Sequence, residues 1–224
     1  MRGQRGGVAG LVLCAFVAWA SPAAGGGGED AALRLLEEVA LRNAGTTSLS
    51  ADFLQEKHVS LLKRPLESHG FLCLRRQREG KNGDTAGERL LWAYTHPLRS
   101  GFVHEAGKGR LWEGDPSRAR SADGREAALI SGIVRHVLQW MDIDPQALRA
   151  AYRLEPGDEA RSLRLFPRRP AFFARMDVSF SEDMTSVRRL SFVEAGGDVV
   201  RILFSSVEVN RPLPARCAAG EGAF

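Results

Sequence analysis

The sequence predicts an α+β domain made mainly of antiparallel β-strands, arranged as an unclosed β-barrel or strongly curved sheet with helices over one face. Three observations support this fold class. Apolar residues recur at every second position through most of the chain, helical periodicity is confined to the start and the middle, and no strand–helix–strand rhythm is present. We expect about nine or ten strands. The structural alternative to a curved sheet is a flatter sheet with helices packed on it.

The N-terminus has the composition of a secretory signal peptide. Arg2 and Arg5 precede an apolar run, and Ala18 and Ala20 place small residues where a signal peptidase reads them. We expect cleavage after Ala20, with Ala23 as a second candidate, because the apolar run is shorter than the ~20 residues of a membrane-spanning helix. Loss of the two arginines lowers the formal net charge from +4 to +2, which indicates no nucleic-acid partner.

The cysteines leave the redox state open. Cys14 lies in the signal, and the leucine before it fits poorly with a lipoprotein acylation site. Export would place Cys73 and Cys217 in an oxidising compartment, where they form either one disulfide or two separate thiols, since sequence gives no Cα separation.

Residues 21–30 are predicted to be a flexible Gly-rich leader, and residues 31–224 a single domain. Asp30 caps a predicted helix ending near Asn43, and from Ser48 onward the apolar period becomes two. Further strands are expected over residues 68–76, 90–96, 102–105, 110–113, 151–155, 161–166, 172–181, 186–194 and 198–209, with a hairpin turn at 107–109 and a polar loop at 77–87.

The middle of the chain breaks the strand pattern. Residues 126–141 form a predicted helix that is apolar over much of its circumference, so something must cover it, and Pro145 opens a short second helix. Later, the stretch FFARMDVSF alternates, with Phe172, Ala174, Met176, Val178 and Phe180 on one face.

Catalytic patterns are absent from the sequence. It has no nucleophile elbow, no phosphate-binding glycine loop and no spaced histidine or cysteine ligands, so we expect neither a metal nor a cofactor. Glu113 and Asp115 alternate near a turn and are the one candidate catalytic pair, although a solvated hairpin end explains them equally well.

Five stretches, in order, resemble the periplasmic LolA-like lipoprotein carriers. They are SLSADFLQ (48–55), GFLCLRR (70–76), RLLWAYTHP (89–97), GKGRLWEGD (107–115) and FSSVEVNRPLP (204–214). The resemblance implies an unclosed barrel with an apolar interior under a helical lid. It also implies a periplasmic, monomeric and non-enzymatic carrier in a Gram-negative cell.

The implied task is to shield the acyl chains of lipoproteins. The carrier would take its cargo from an inner-membrane lipoprotein-releasing transporter and deliver it to an outer-membrane receptor. Burying each methylene is worth ~0.8 kcal/mol, so an acyl chain needs such a shield in water.

The resemblance and the apolar faces together give a set of candidate site residues. Arg76 matches an arginine that holds the lid closed in the family, and the inward face of the lid helix would carry Ile133, Val137 and Met141. The lipid-binding cavity is predicted to be lined by Leu90, Trp92, Tyr94, Phe172, Met176, Phe180, Leu190 and Phe192. We interpret the aromatic meander 92–114 as one wall of this cavity.

Two departures from the family leave the cargo open. The loop 77–87 stands where carriers run almost directly into the aromatic strand, and little chain follows Pro214. A divergent relative that carries a glycolipid, and an interaction module that senses lipoproteins, are therefore the alternatives.

Overall fold

The computed structural model describes residues 26–76, 88–127, 130, 143–171, 173–194 and 196–218. The predicted signal peptide, residues 1–20, lies outside the described residues, as does the loop 77–87. Eleven strands form one sheet in which every adjacent pair is antiparallel, in the order β6-β5-β4-β3-β2-β1-β11-β10-β9-β8-β7. The predicted mainly antiparallel, unclosed sheet is confirmed.

Helix α1 covers Gly26–Asn43 and helix α2 covers Pro145–Ala151. The strands are β1 Ser48–His58, β2 Leu66–Arg75, β3 Arg89–His96, β4 Ser100–Glu105, β5 Lys108–Glu113, β6 Arg120–Ser121, β7 Tyr152–Pro156, β8 Ser162–Pro167, β9 Phe173–Phe180, β10 Val187–Glu194 and β11 Val199–Val209. Short 3-10 helices cover Pro116–Arg118 and Ala215–Ala218.

The sheet curves so strongly that strands from both halves share one apolar core, which we call the inner-face cluster. It collects Leu72, Leu74, Leu90, Trp92, Phe102, Leu154, Leu163, Leu165, Met176, Val178, Leu190 and Ile202 from the strands. The apolar stripe of α1 packs into the same cluster through Ala32, Leu33, Leu36 and Val39, and α2 adds Leu148. The helices therefore lie on the inner face, as the sequence predicts.

The first helix begins earlier than predicted. Residues 26–30, placed in the flexible leader by the sequence, are helical, so Asp30 lies inside α1 and is not its cap. Tertiary contacts stabilise this glycine-rich turn, because the carboxylate of Glu29 lies 3.2 Å from Arg149 and 3.7 Å from Arg168. Those contacts override the low helix propensity of glycine.

The central helix is described only at its start. Residues 124–127 and 130 are helical, and Ile130 is buried in the inner-face cluster. A Cβ added to Gly109 of β5 would lie 3.4 Å from Ile130 Cγ2, so this helix begins over the inner face of β5. The remainder of the predicted helix lies outside the described residues.

A second core lies on the opposite face of the sheet, and we call it the outer-face cluster. It consists of Cys73, Leu91, Ala93, Val103, Trp112 and Cys217, with Phe71, Ala119 and Leu213 packed around it. Cys73 and Cys217 form a disulfide with a Cα–Cα distance of 5.7 Å, which decides the question that the sequence leaves open. The bond fixes the C-terminal segment across the back of β2 and β3.

The β4–β5 turn is tighter than predicted. It consists of Ala106 and Gly107, both with positive φ (49° and 77°), while Lys108 and Gly109 already belong to β5. Two such residues in succession are the mark of a two-residue type I′ hairpin.

Candidate functional site

One wall of the inner face is built from aromatic rings on three strands. The ring centroids of Phe53 on β1 and Trp92 on β3 are 4.6 Å apart. The ring of Phe204 on β11 meets that of Trp92 edge-on, with a centroid distance of 6.5 Å. Period-two alternation places these residues on the same face, and pairs at these separations are favourable beyond their buried area. We call Phe53, Trp92, Tyr94 and Phe204 the aromatic wall.

Tyr94 is the polar member of this wall. Its phenol donates a 2.9 Å hydrogen bond to Gln55 Oε1, and the side chain is only half-buried. Burial raises the pKa of the Tyr94 phenol, an effect that outweighs the opposing hydrogen bonds with Trp92 and Gln55. The wall therefore presents apolar rings and one neutral hydroxyl.

The opposite wall centres on Phe173, a residue that sequence reasoning missed. Its ring stacks on Tyr152 at 6.3 Å and contacts Phe192 at 5.6 Å. The predicted inward position of Ala174 is wrong, because the β9–β10 register shifts between Val193 and Glu194. The bulge leaves Ala174 exposed and turns Phe173 inward.

The structure brings together the predicted cavity residues that it describes. Leu90, Met176, Phe180 and Leu190 are buried in the inner-face cluster with Trp92, and the half-buried Tyr94 and Phe192 pack against it. Phe172 and the predicted lid residues Ile133, Val137 and Met141 lie outside the described residues. Lipid contact by any of these residues stays a prediction.

A surface cavity lies beside Phe204 of the aromatic wall. Strand β10 pairs with β11 only as far as Leu203, so residues 204–209 of β11 separate from it. The cavity has a volume of about 310 Å³, and its lining includes Phe204 and the polar residues Ser181, Asp183, Thr185, Ser186 and Arg188.

Trp112 corrects the interpretation of the aromatic meander. It is 4% exposed, yet it lies in the outer-face cluster, behind the sheet from Trp92. In the β4–β5 register Trp112 is opposite Gly101, and a Cβ added to Gly101 would lie 2.5 Å from the Trp112 indole. Only part of the meander thus faces the inner cluster.

Arg76, the predicted latch, contacts the start of the next described segment. Its Nε donates to Glu88 Oε1 at 3.2 Å, and its backbone N–H donates to Thr47 O at 2.7 Å. The more deeply buried arginine is Arg89, whose guanidinium donates to Cys217 O at 2.6 Å on the outer face. Contact of Arg76 with a lid stays a prediction.

Of the candidate catalytic pair Glu113 and Asp115, Asp115 has a structural role. The carboxylate of Asp115 caps a 3-10 helix by accepting from the Ser117 N–H at 2.9 Å, and this bond lowers the pKa of Asp115. Glu113 is exposed at the end of β5. Within the described ranges, no group of three or more histidine, cysteine or acidic side chains is arranged to hold a metal ion.

Among the residues that the structure describes, no helix combines the length and the apolar character needed to cross a bilayer.

No family profile matches the chain, and no curated protein matches its sequence. Solved structures do match. A chain of the Pseudomonas aeruginosa MucA/MucB complex matches at 16% identity with a TM-score of 0.53, over 85% of this chain and 61% of that one. A structure of MucB matches at 15% identity with a TM-score of 0.51, over 84% of this chain and 62% of that one. This chain thus spans less than two thirds of the length of both.

A LolA superfamily protein from Nitrosomonas europaea matches at 9% identity with a TM-score of 0.34, over 83% of this chain and 96% of that one. Identities this low bear on the fold alone. With its unclosed, curved antiparallel sheet and helices on the inner face, the chain shares its fold with the MucB structures.

Proposed function

We propose that this protein is a periplasmic carrier that encloses the acyl chains of lipoproteins between the inner face of its sheet and the covering helices. In this role it takes cargo from an inner-membrane transporter and gives it to an outer-membrane receptor. The observation that carries the proposal is the aromatic wall, which is continuous with the inner-face cluster and borders the surface cavity beside Phe204.

The energetics favour an enclosing fold for such cargo. Each methylene withdrawn from water contributes ~0.8 kcal/mol, so one long acyl chain gains on the order of 10 kcal/mol inside an apolar cavity. The apolar rings contact the chain, while the serines, Thr185 and Arg188 of the surface cavity suit the polar group to which the chain is attached. Ile133, Val137 and Met141 complete the cavity from the helical side in this proposal.

The disulfide supports the proposed compartment. Bonds of this kind persist in the periplasm and are rare in the reducing cytosol. Cys73 and Cys217 are both almost fully buried, at 1% and 3% exposure, so their bond belongs to the folded core of the outer face.

Photocrosslinking with a diazirine-labelled palmitoyl peptide tests the proposal. We expect peptide mapping to place the label on β1, β3, β9 or β11 residues of the inner face. Labelling confined to the outer face, or no protection of the acyl chain from solvent, would overturn it.

Trp92 and Trp112 provide a matched pair for the same assay, because both are buried tryptophans on one sheet but on opposite faces. Trp92→Phe retains an aromatic ring and should retain binding, whereas Trp92→Glu places a charge on the wall and should abolish it. Trp112→Phe controls for loss of an indole. Circular dichroism identifies any variant that fails to fold, and equal labelling of a folded Trp92→Glu variant contradicts the proposal.

A second candidate function is binding of a partner protein, as in a module that senses lipoproteins. The match to a chain of the MucA/MucB complex favours it. Depletion in cells separates the two functions. Loss of a carrier leaves lipoproteins in the inner membrane, while loss of a sensor changes gene expression and leaves lipoprotein localisation intact.

A further inference from the structure

Four exposed leucines lie at one end of the sheet, in or beside two connections, and we call them the leucine rim. Leu61 and Leu62 lie in the β1–β2 connection and are 91% and 49% exposed, and Leu66, the first residue of β2, is 54% exposed. Leu98 in the β3–β4 connection is 77% exposed. Single exposed leucines are ordinary on a protein surface, but a cluster of them indicates an interaction site.

The strand register shows that the two connections project from the same end. His69 of β2 is paired with His96 of β3, with ring centroids 6.0 Å apart. Leu66 begins β2 three residues before His69, and the connection that carries Leu98 follows His96, so both lie at the end of the sheet marked by this pair.

The rim is also basic. Residues 59–66 (VSLLKRPL) and 96–99 (HPLR) include Lys63, Arg64 and Arg99 and contain no acidic residue. All three cations are exposed, and within the described residues none of them is in an ion pair. Three carboxylates adjoin these cations: Glu67 follows Leu66, Asp198 accepts a hydrogen bond from the Ser60 N–H at 3.1 Å, and Asp115 interacts electrostatically with Arg99. Lys63 and Arg64 are therefore the cations of the rim without a described electrostatic partner.

Exposed leucines beside exposed cations are the side chains that the two layers of an anionic bilayer surface would bind. Apolar side chains are stabilised at the headgroup–acyl boundary, and each lysine or arginine near anionic headgroups contributes further binding. A protein partner would supply carboxylates in fixed positions and would bury the leucines in a shaped groove. The exposed leucines of two adjacent connections suit the laterally fluid surface better.

We propose that the leucine rim docks this protein on anionic phospholipid bilayers, with its leucines inserted at the boundary and Lys63, Arg64 and Arg99 on the lipid phosphates. The rim is distinct from the aromatic wall, so the inference does not depend on what the inner face binds.

Co-sedimentation with vesicles tests the rim directly. We expect binding to phosphatidylcholine vesicles containing phosphatidylglycerol, weaker binding to phosphatidylcholine alone, and loss of binding as salt is raised. Lys63→Glu with Arg64→Glu should weaken binding to the anionic vesicles at least 25-fold, at about fivefold per basic side chain. Arg34→Glu with Lys108→Glu, which changes the net charge equally away from the rim, should leave it within about twofold.

The leucines have a matched control as well. Leu41, at 79% exposure, lies near the C-terminal end of α1, which leads into the start of β1 and so lies at the other end of that strand from the rim. Leu61→Ser with Leu98→Ser should lower vesicle affinity about tenfold or more, whereas Leu41→Ser should not.

Three results would overturn the inference: equal binding to neutral and anionic vesicles, equal loss in rim and control variants, or no vesicle binding at all. Sedimentation velocity tests the alternative that the rim binds a second copy of the chain. In that case the protein is a dimer, and Leu61→Ser abolishes the dimer. Acyl-peptide photocrosslinking separates the two proposals, because rim variants should keep inner-face labelling while Trp92→Glu should keep vesicle binding.

Discussion

Phe53 and Tyr94 meet edge to face across Gly70. Their ring centroids are 5.4 Å apart at an interplanar angle of 86°, although β2 lies between the strands that carry them. The register aligns Phe53, Gly70 and Tyr94 across β1, β2 and β3, and the absence of a side chain at Gly70 lets the two rings approach. The aromatic wall therefore depends on a residue that contributes no side chain to it.

Gly70→Ala should destabilise the protein by about 1–3 kcal/mol, because the added Cβ would lie 2.4 Å from Phe53 Cζ and 2.2 Å from Ala93 O. Chemical denaturation measures the change. Gly45→Ala is the control, since a Cβ there meets no atom within 4 Å. Equal stability of the two variants would show that the wall has room at Gly70.

Both tyrosines should ionise at a higher pH than an ordinary tyrosine. The chain has two tyrosines, and burial raises the pKa of both Tyr94 and Tyr152 above the usual 10.0. Above pH 10 the unfolded state releases these protons first, so the free energy of unfolding is unaffected by them below about pH 10 and falls as the pH rises further. Tyrosinate absorbance follows both groups, and Tyr94→Phe assigns them. A full change centred at pH 10 in the folded protein contradicts the expectation.

Reduction of the disulfide should lower the free energy of unfolding by about 2–5 kcal/mol, because the bond joins cysteines 144 residues apart and holds the C-terminal segment on the outer-face cluster. Thermal unfolding with and without reductant measures the effect. Cys73→Ala with Cys217→Ala should show the lower stability in both conditions. If the stability of the wild-type protein does not change with reductant, packing alone holds the C-terminal segment on the outer-face cluster.

Asn210→Ala should cost about 1–3 kcal/mol. The Asn210 carboxamide accepts from the Thr47 N–H at 2.7 Å and donates to Gly45 O at 3.1 Å, which joins the end of β11 to the start of β1. Its φ of 55° lies in the left-handed region, where asparagine is tolerated and alanine is strained. Asn210→Gly removes the backbone strain but does not restore the lost hydrogen bonds. In denaturant titrations its stability should therefore lie between those of the Asn210→Ala variant and the wild type.

Periodicity predicted most of the strands from sequence. For the second half of the chain the period predicts strands at 151–155, 161–166, 172–181, 186–194 and 198–209, and β7 to β11 each lie within a residue or two of those bounds. This agreement arises because one face of each strand is buried in a shared cluster, which forces alternation on the sequence. Leu90 and Trp92 were placed on the inner face by the same pattern.

The failures have long-range causes. Ala174 and Phe173 exchange faces because of a bulge against β10, and a bulge leaves no mark in a period-two pattern. Trp112 lies on the outer face because Gly101 and the C-terminal segment make room for it there. Arg89 is buried by Cys217 O, a partner 128 residues away, so neither its neighbours nor its charge indicates its position.

The pairing of β1 with β11 sets the order in which this chain can fold. The bonds from Asn210 to Ser48 span 162 residues, and β1 and β11 stand side by side in the middle of the sheet. A chain that emerges N-terminus first therefore cannot complete its central strand pair until β11 has been made. The topology itself delays the joining of the two halves of the sheet until that strand is present.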